Sequence, residues 1–243
     1  MKLIKLNAIP STNDYLKEIS KRNQLENFTT VYTSFQTQGK GQRGNSWLIE
    51  PDKNLTFSTL YQFPNINSLS IFDLNIITAI SIVEALEQLD ISNLQIKWPN
   101  DIMLRNKKIG GILIENNFSS NNTINSVIGI GINVNQEKFT DLPSASSLLN
   151  LCNTTFDVEQ ILHLILNRLE QNLSNISDDV INIFWTTYHK YLFRKGVPSV
   201  FETPDQKMQM GIIQRVLRNG KIEILFENDL TQQFDLKEIK LIY

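Results

Sequence analysis

The hydrophobic pattern of the chain changes character once, near residue 195. Before that point, segments with apolar residues at helical spacing alternate with β-branched runs. After Arg194-Lys195-Gly196 only short alternating runs remain, at 197–201, 208–217, 221–226 and 237–242, with Asn219-Gly220 between two of them. Helical spacing builds one apolar stripe and strict alternation one apolar sheet face, and an Asn-Gly pair between alternating runs is a strong hairpin signal. The pattern therefore predicts an α+β body over residues 1–195 and a small all-β unit over 196–243. A length of 243 residues suffices for a substantial core with such a companion.

Within the body, Ser11, Thr12 and Asn13 precede apolar positions at Tyr15, Leu16 and Ile19, which predicts a helix with a hydroxyl cap. Strands are expected over Thr29–Phe35, Leu55–Tyr61, Leu94–Trp98, Ile109–Glu115 and Ser126–Val134. Helices are expected over Ile71–Leu89, Asp157–Leu173 and Asp179–Tyr191. No stretch approaches the roughly 18 unbroken apolar residues of a spanning helix, and the amino end has no leader-like apolar run or cleavage site. The chain reads as a cytoplasmic protein with no membrane partner. A single Cys excludes an internal disulfide framework. With 23 Lys and Arg against 25 Asp and Glu, a net charge of -2, nothing suggests an overall positive field that would hold nucleic acid.

Four segments could carry chemistry. The stretch from Gln36 to Trp47 places Gly39, Gly41 and Gly44 among Lys40, Gln42, Arg43 and Asn45. Such a loop can turn backbone N–H groups and cations toward a phosphate or carboxylate, though without the spacing of a P-loop. Taken alone, a hairpin loop with solvated charges explains it better. At Lys97-Trp98-Pro99-Asn100-Asp101 a lysine closes a strand before a turn that Asn100 and Asp101 can fix, and an exposed lysine at an ordinary junction is the plainer account. The pairs Gly110-Gly111 and Gly129, Gly131 interrupt β-branched strands. Such glycines mark either a close approach of ligand or backbone, or a bulge and tight packing. His163, His189 and Cys152 have no partner pattern for a metal or a nucleophile and read as structural.

In order along the chain, the Ser-Thr-Asn cap, the Gly-rich loop ending in Trp47, KWPNDI, KIGGILIE and GIGIN together resemble the catalytic domain of biotin protein ligases. The resemblance covers the whole chain. It implies a mixed β-sheet flanked by helices, as in class II aminoacyl-tRNA synthetases, followed by a small SH3-like β-barrel. It implies activation of biotin by Mg-ATP to biotinyl-5'-AMP, then transfer of the biotinyl group to a lysine of a biotin carboxyl carrier domain. Lys97 and Arg43 would be catalytic. Biotin would be held by Ser11, Thr12, Asn13, Gln36, Gly39, Lys40, Gly41, Arg43, Lys97, Gly110 and Gly111. ATP would be held by Lys40, Gln42, Arg43, Gly44, Trp47, Lys97, Asn100, Gly129, Gly131 and Asn133, with Lys40, Arg43 and Lys97 converging on the phosphates. The resemblance names no Mg2+ ligands.

The chain departs from the family's commoner loop, GRGRRGR, at Lys40, Gln42 and Asn45. Gln42 is therefore expected to act through its backbone, with Arg43 carrying the charge. Because the cap begins at residue 11, the resemblance is to the short form without a DNA-binding domain, monomeric or paired as a homodimer through an edge strand. Its rivals are a lipoate-protein ligase or octanoyltransferase, which share the fold, and a non-enzymatic binding module, which leaves the cations on both loop and turn unexplained.

Overall fold

The computed structural model describes residues 1–64, 69–118, 123–140 and 142–243, with only the backbone at Arg43 and Pro64. Strand β1 (Leu3–Ile9) leads into helix α1 (Thr12–Arg22), capped by Ser11, whose Oγ accepts from the Asp14 N–H. Next come β2 (Thr30–Gln36), a single 3-10 turn at Gln42–Gly44, β3 (Leu55–Pro64) and α2 (Ile71–Glu87). Four strands follow: β4 (Leu94–Lys97), β5 (Asp101–Leu104), β6 (Lys107–Phe118) and β7 (Thr123–Ile132). Helices α3 (Leu148–Cys152), α4 (Val158–Leu173) and α5 (Asp178–Tyr191) complete the body, and β8 (Pro198–Glu202), β9 (Met208–Val216), β10 (Ile222–Phe226), β11 (Thr231–Phe234) and β12 (Lys240–Ile242) form the rest.

The first seven strands make one sheet in the order β1-β2-β3-β7-β6-β5-β4, and the last five a second sheet in the order β11-β10-β9-β8-β12. Only β1 and β2 run parallel; the other neighbours are antiparallel. This is the expected mixed sheet flanked by helices, with a small antiparallel sheet after it. The Asn219-Gly220 hairpin joins β9 to β10 as its sequence suggests, with Gly220 at φ +85.

Alternation along β3 and β7 divides the large sheet into two unequal faces. Leu55, Phe57, Tyr61 and Phe63 of β3 and Ile124, Ile128, Ile130 and Ile132 of β7 join the main core with α2 and α4. Helix α2 is apolar on every side because it lies between this sheet face and α4 and α5. Helix α4 is amphipathic, burying Ile161, Leu162, Ile165, Leu166 and Leu169. The other sheet face carries Thr56, Ser58, Leu60, Val127, Gly129 and Gly131, and α1 covers only part of it through Leu16, Val31, Leu60 and Val127. The main core also runs into the second sheet, through Phe201, Ile213, Ile222, Ile224 and Phe226.

Several elements lie outside the sequence reading. Strand β1 escaped it because its side chains are exposed or half-buried at the sheet edge. Strand β5 pairs with β6 through a tight turn at Arg105-Asn106, both at positive φ, without the usual Asn-Gly signature. The strand expected over Leu94–Trp98 stops at Lys97, where the turn with its cis Trp98–Pro99 peptide begins. The run expected over 237–242 pairs only at Lys240–Ile242, while Thr231–Phe234 is a separate strand. No helix among the described residues is long and apolar enough to cross a membrane.

Replacing Ile80, fully buried in α2, by Ala should lower unfolding free energy in urea by about 2–5 kcal/mol. Ile183→Ala, at a position 64% exposed on α5, should change it by under about 0.5 kcal/mol.

Candidate active site

A cavity of about 500 Å³ opens on the partly covered sheet face, between α1, the Gly-rich loop and the second sheet. Its inner end is neutral and polar. Thr12 donates to Gln36 Oε1 through both its N–H, at 2.8 Å, and its hydroxyl, at 3.0 Å. That occupies the Gln36 carbonyl oxygen and leaves its amide donors for a ligand. The buried Ser58 hydroxyl lies 2.7 Å from Thr12 Oγ1 and 2.5 Å from Asn13 Oδ1, while Asn13 Nδ2 donates to Glu115 Oε2 at 2.7 Å. Ser11, Thr12 and Asn13 are each only 3% exposed, so this network lies out of water.

Two glycines make that arrangement possible by close approach. A Cβ on Gly129 would stand 2.3 Å from Asn13 Oδ1, so the amide crosses β7 through space that any side chain would fill. A Cβ on Gly131 would stand 2.5 Å from the Trp47 ring. Trp47 thereby packs close over Gly131 as one wall of the cavity, with its Nε1 buried and without an acceptor among the described residues.

The outer end is cationic. Lys97, at the end of β4, points its ammonium to within 4.0 Å of Asp101, whose other oxygen is 2.6 Å from Lys108 Nζ. Two ammonium groups thus share one carboxylate and leave net positive charge on the cavity wall. Burial pushes the Lys97 pKa below the usual lysine value; Asp101 opposes this and Lys108 adds to it. The turn between these charges is tied down by three groups. Asn75 Nδ2 donates to Pro99 O at 2.8 Å, Asn100 Nδ2 to Ile112 O at 2.7 Å, and Trp98 Nε1 to Gly220 O at 2.9 Å. The second sheet contributes apolar walls from Phe201, Ile222 and Leu241, and the segment between β11 and β12 adds Leu236 and Ile239.

Most residues singled out from the sequence therefore meet at one cavity: Ser11, Thr12, Asn13, Gln36, Lys40, Gly41, Gln42, Trp47, Lys97, Asn100, Gly111, Gly129 and Gly131 all line it. Four do not. Gly39 closes the neck of the loop, its carbonyl accepting from Trp47 N–H at 2.9 Å, and Gly44 occupies the 3-10 turn at φ +86. Gly110 packs against Ile132, and buried Asn133 donates to Ser146 O at 2.9 Å behind the wall. The Arg43 side chain lies outside the described atoms.

Lys40 corrects one expectation. It lines the cavity with Lys97, but its ammonium is paired 2.5 Å from Asp14 in the first turn of α1 rather than left free, and Asp14 is also 3.0 Å from Lys17. A fixed carboxylate one turn into the helix captures the nearer cation. Asn100 likewise lines the cavity with its amide donor already engaged. Sequence reasoning gave no role to Lys108 or Ser58, and gave Asp101 only that of fixing the turn. Lys108 stands two residues before Gly110-Gly111, but only the β5–β6 pairing, which sets it opposite Met103, brings its ammonium within reach of Asp101 on the same neighbouring strand. His189 is held by Val216 at 3.0 Å, and no group of three or more His, Cys, Asp or Glu that could hold a metal occurs among the described residues.

Residues 6–133, more than half the chain, match the family model of the Biotin/lipoate A/B protein ligase family. Over 129 residues the chain is 31% identical to the bifunctional ligase/repressor BirA of Escherichia coli, a match covering 53% of this chain and 39% of that protein. Over 101 residues it is 34% identical to the biotin–[acetyl-CoA-carboxylase] ligase of Paracoccus denitrificans, covering 41% of each. The chain thus spans about two fifths of the length of these relatives. Among solved structures, a biotin protein ligase from Aquifex aeolicus in complex with biotin and ATP superposes with a TM-score of 0.80 at 26% identity, covering 99% of this chain and 98% of that one.

Gly129→Ala should displace Asn13 and open the polar end of the cavity. The thermal midpoint should fall with a loss of about 1–3 kcal/mol, the range for overpacking, and Asn13→Ala in the same chain should recover part of it.

Proposed function

Because the chain belongs to the Biotin/lipoate A/B protein ligase family, we propose that it is a biotin protein ligase. In this reading it activates biotin with ATP to biotinyl-5'-AMP and passes the biotinyl group to a lysine of a biotin carboxyl carrier domain. One observation carries it: a single cavity is neutral and hydrogen-bonding at one end and cationic at the other. Biotin has a neutral ureido ring at one end of an apolar chain and a carboxylate at the other. A dithiolane ring in the same place would offer no acceptor to the Gln36 amide donors, at a cost of about 1–3 kcal/mol for an unsatisfied group, which favours biotin over lipoate.

The chemistry follows from charge. In the first step a biotin carboxylate oxygen attacks the α-phosphorus of ATP and pyrophosphate leaves, so two anions must approach. Lys97 and Lys108 offset that repulsion from a wall already positive by one charge. In the second step the carrier amine attacks the carboxyl carbon of the mixed anhydride and AMP departs. The Lys97 ammonium is the group placed to offset charge on the carboxyl oxygen and on the leaving phosphate. Trp47 and the loop cover the anhydride from water, and the free Trp47 N–H is a further donor for the ligand.

Arg43 and Gln42 are assigned to the nucleotide by the family resemblance. Mg2+ would be held by the triphosphate oxygens, since Asp101, the carboxylate on this wall, is shared by two lysines. We keep a catalytic part at 1–195 and a small β part at 196–243, the latter supplying one wall of the same cavity. The cytoplasm is the proposed location.

Incubated with biotin, Mg-ATP and a carrier domain, the protein should give a carrier band on a streptavidin blot, reduced roughly 10²-fold or more in Lys97→Ala, as for loss of one donor at developing charge. Labelling of a lipoyl domain by lipoate with no biotinylated carrier would reject the reading. Since the Lys97 pKa is lowered, its cation is lost at a lower pH than an ordinary lysine's. The alkaline limb of kcat/KM for adenylate formation should fall with a midpoint below about 10.4, and Lys97→Arg should move that limb upward.

A further inference from the structure

The second sheet reaches Lys97 as well as the cavity wall. Tyr243, directly after β12, places its ring over the Lys97 ammonium, with Nζ 4.7 Å from the ring centroid. The ring is set by two contacts. Its edge-to-face partner is Phe193, at 5.2 Å and 72°. Phe193 is 1% exposed and donates its N–H to Ile96 O at 2.9 Å, one residue before Lys97. The Tyr243 phenol lies near enough to Ser144 to be influenced by it, and Ser144 O accepts the N–H of Lys108 at 2.8 Å. The ring is therefore fixed to the two backbone segments that carry the two lysines.

The geometry around Lys97 sets two partners against each other. The Asp101 carboxylate is already engaged by Lys108 at 2.6 Å and stands 4.0 Å from Lys97, a loose pair. A lysine stem has four rotatable carbons and its ammonium is a point charge with no preferred direction. A nearby carboxylate would draw it into a close pair and neutralise it. An aromatic face attracts an ammonium through its quadrupole without neutralising the charge. Burial and the Asp101 carboxylate raise the Tyr243 phenol above its usual value, so the ring stays neutral in the working range.

We propose that Tyr243 is a positioning residue for Lys97: its ring face holds the ammonium beside Asp101 instead of on it, leaving the charge available to reacting carboxyl and phosphate oxygens. The inference rests on the ligase reading above. Tyr243 belongs to neither the Gly-rich loop nor the KWP turn, and its contact makes the end of the second sheet a direct determinant of how the catalytic cation is presented.

The test compares Tyr243→Phe, which keeps the ring face, with Tyr243→Leu, which keeps apolar contact with Phe193 and removes the face. By NMR of the labelled protein, the Lys97 ε-CH2 protons, assigned through Lys97→Arg, should show an upfield ring-current shift in wild type and Tyr243→Phe, lost in Tyr243→Leu. In kinetics, Tyr243→Leu should lower kcat for biotinyl-adenylate formation about 3- to 10-fold, the range for one cation–π contact. The KM for biotin should rise in the same variant, as its carboxylate loses part of that charge, the thermal midpoint should not change, and Tyr243→Phe should stay within about twofold of wild type. Absence of the upfield shift in wild type, equal losses in both variants, or full activity in Tyr243→Leu would overturn the proposal. If wild type forms no adenylate, the ligase reading falls instead, and the NMR comparison alone decides the ring contact.

Discussion

The alternation of β3 and β7 is the constraint on which the rest of the molecule depends. Along β7, Ile128, Ile130 and Ile132 point into the main core, while Gly129 and Gly131 alternate with them on the opposite face. Along β3, Phe57 points inward while Thr56 and Ser58 point the other way. One face is thus filled to close packing with α2 and α4, whereas the other is nearly bare of side chains and open to a ligand. A shift of register by one residue would send the isoleucines into the cavity and the glycines into the core. The main core and the binding face are two consequences of one pattern.

That bare face receives its chemistry from elsewhere. Helix α1 delivers Thr12 and Asn13 at its N-terminus, and Asn13 reaches across the sheet only because Gly129 has no side chain. The β4–β5 turn delivers Lys97 and Asp101, and β6 adds Lys108. The second sheet braces the turn through the Trp98–Gly220 hydrogen bond and brings Tyr243 over Lys97. Neutral polarity and positive charge are thereby kept at opposite ends of one cavity. The chain's net charge of -2 says nothing about this separation.

The sequence made the fold class and the neighbourhood of the site legible to different degrees. A long apolar run announced α2, amphipathic spacing announced α4 and α5, and the Asn219-Gly220 pair announced a hairpin, because these signals are local. Strand β1 was illegible because an edge strand needs no clear apolar face, and β5 because its turn uses Arg105 and Asn106 in place of glycine. The segments around the site could be found from glycines in β-branched runs and from KWPND. The pairing of charges could not. Lys40 sits among glycines and arginine in the sequence, yet its ammonium goes to Asp14, 26 residues earlier. Lys108 comes within reach of Asp101 only through the pairing of β5 with β6. Tyr243, more than a hundred residues from Lys97, leaves no local trace at all.

The central claim is that one cavity reads a neutral ring at its inner end and an anion at Lys97. Calorimetric titration of biotin and of biotinol, in which an alcohol replaces the carboxylate, into wild type and Lys97→Ala tests it most directly. The account predicts that wild type binds biotin more tightly than biotinol and that Lys97→Ala binds the two alike, with biotinol affinity unchanged. A preference for the carboxylate that persists undiminished in Lys97→Ala would contradict it.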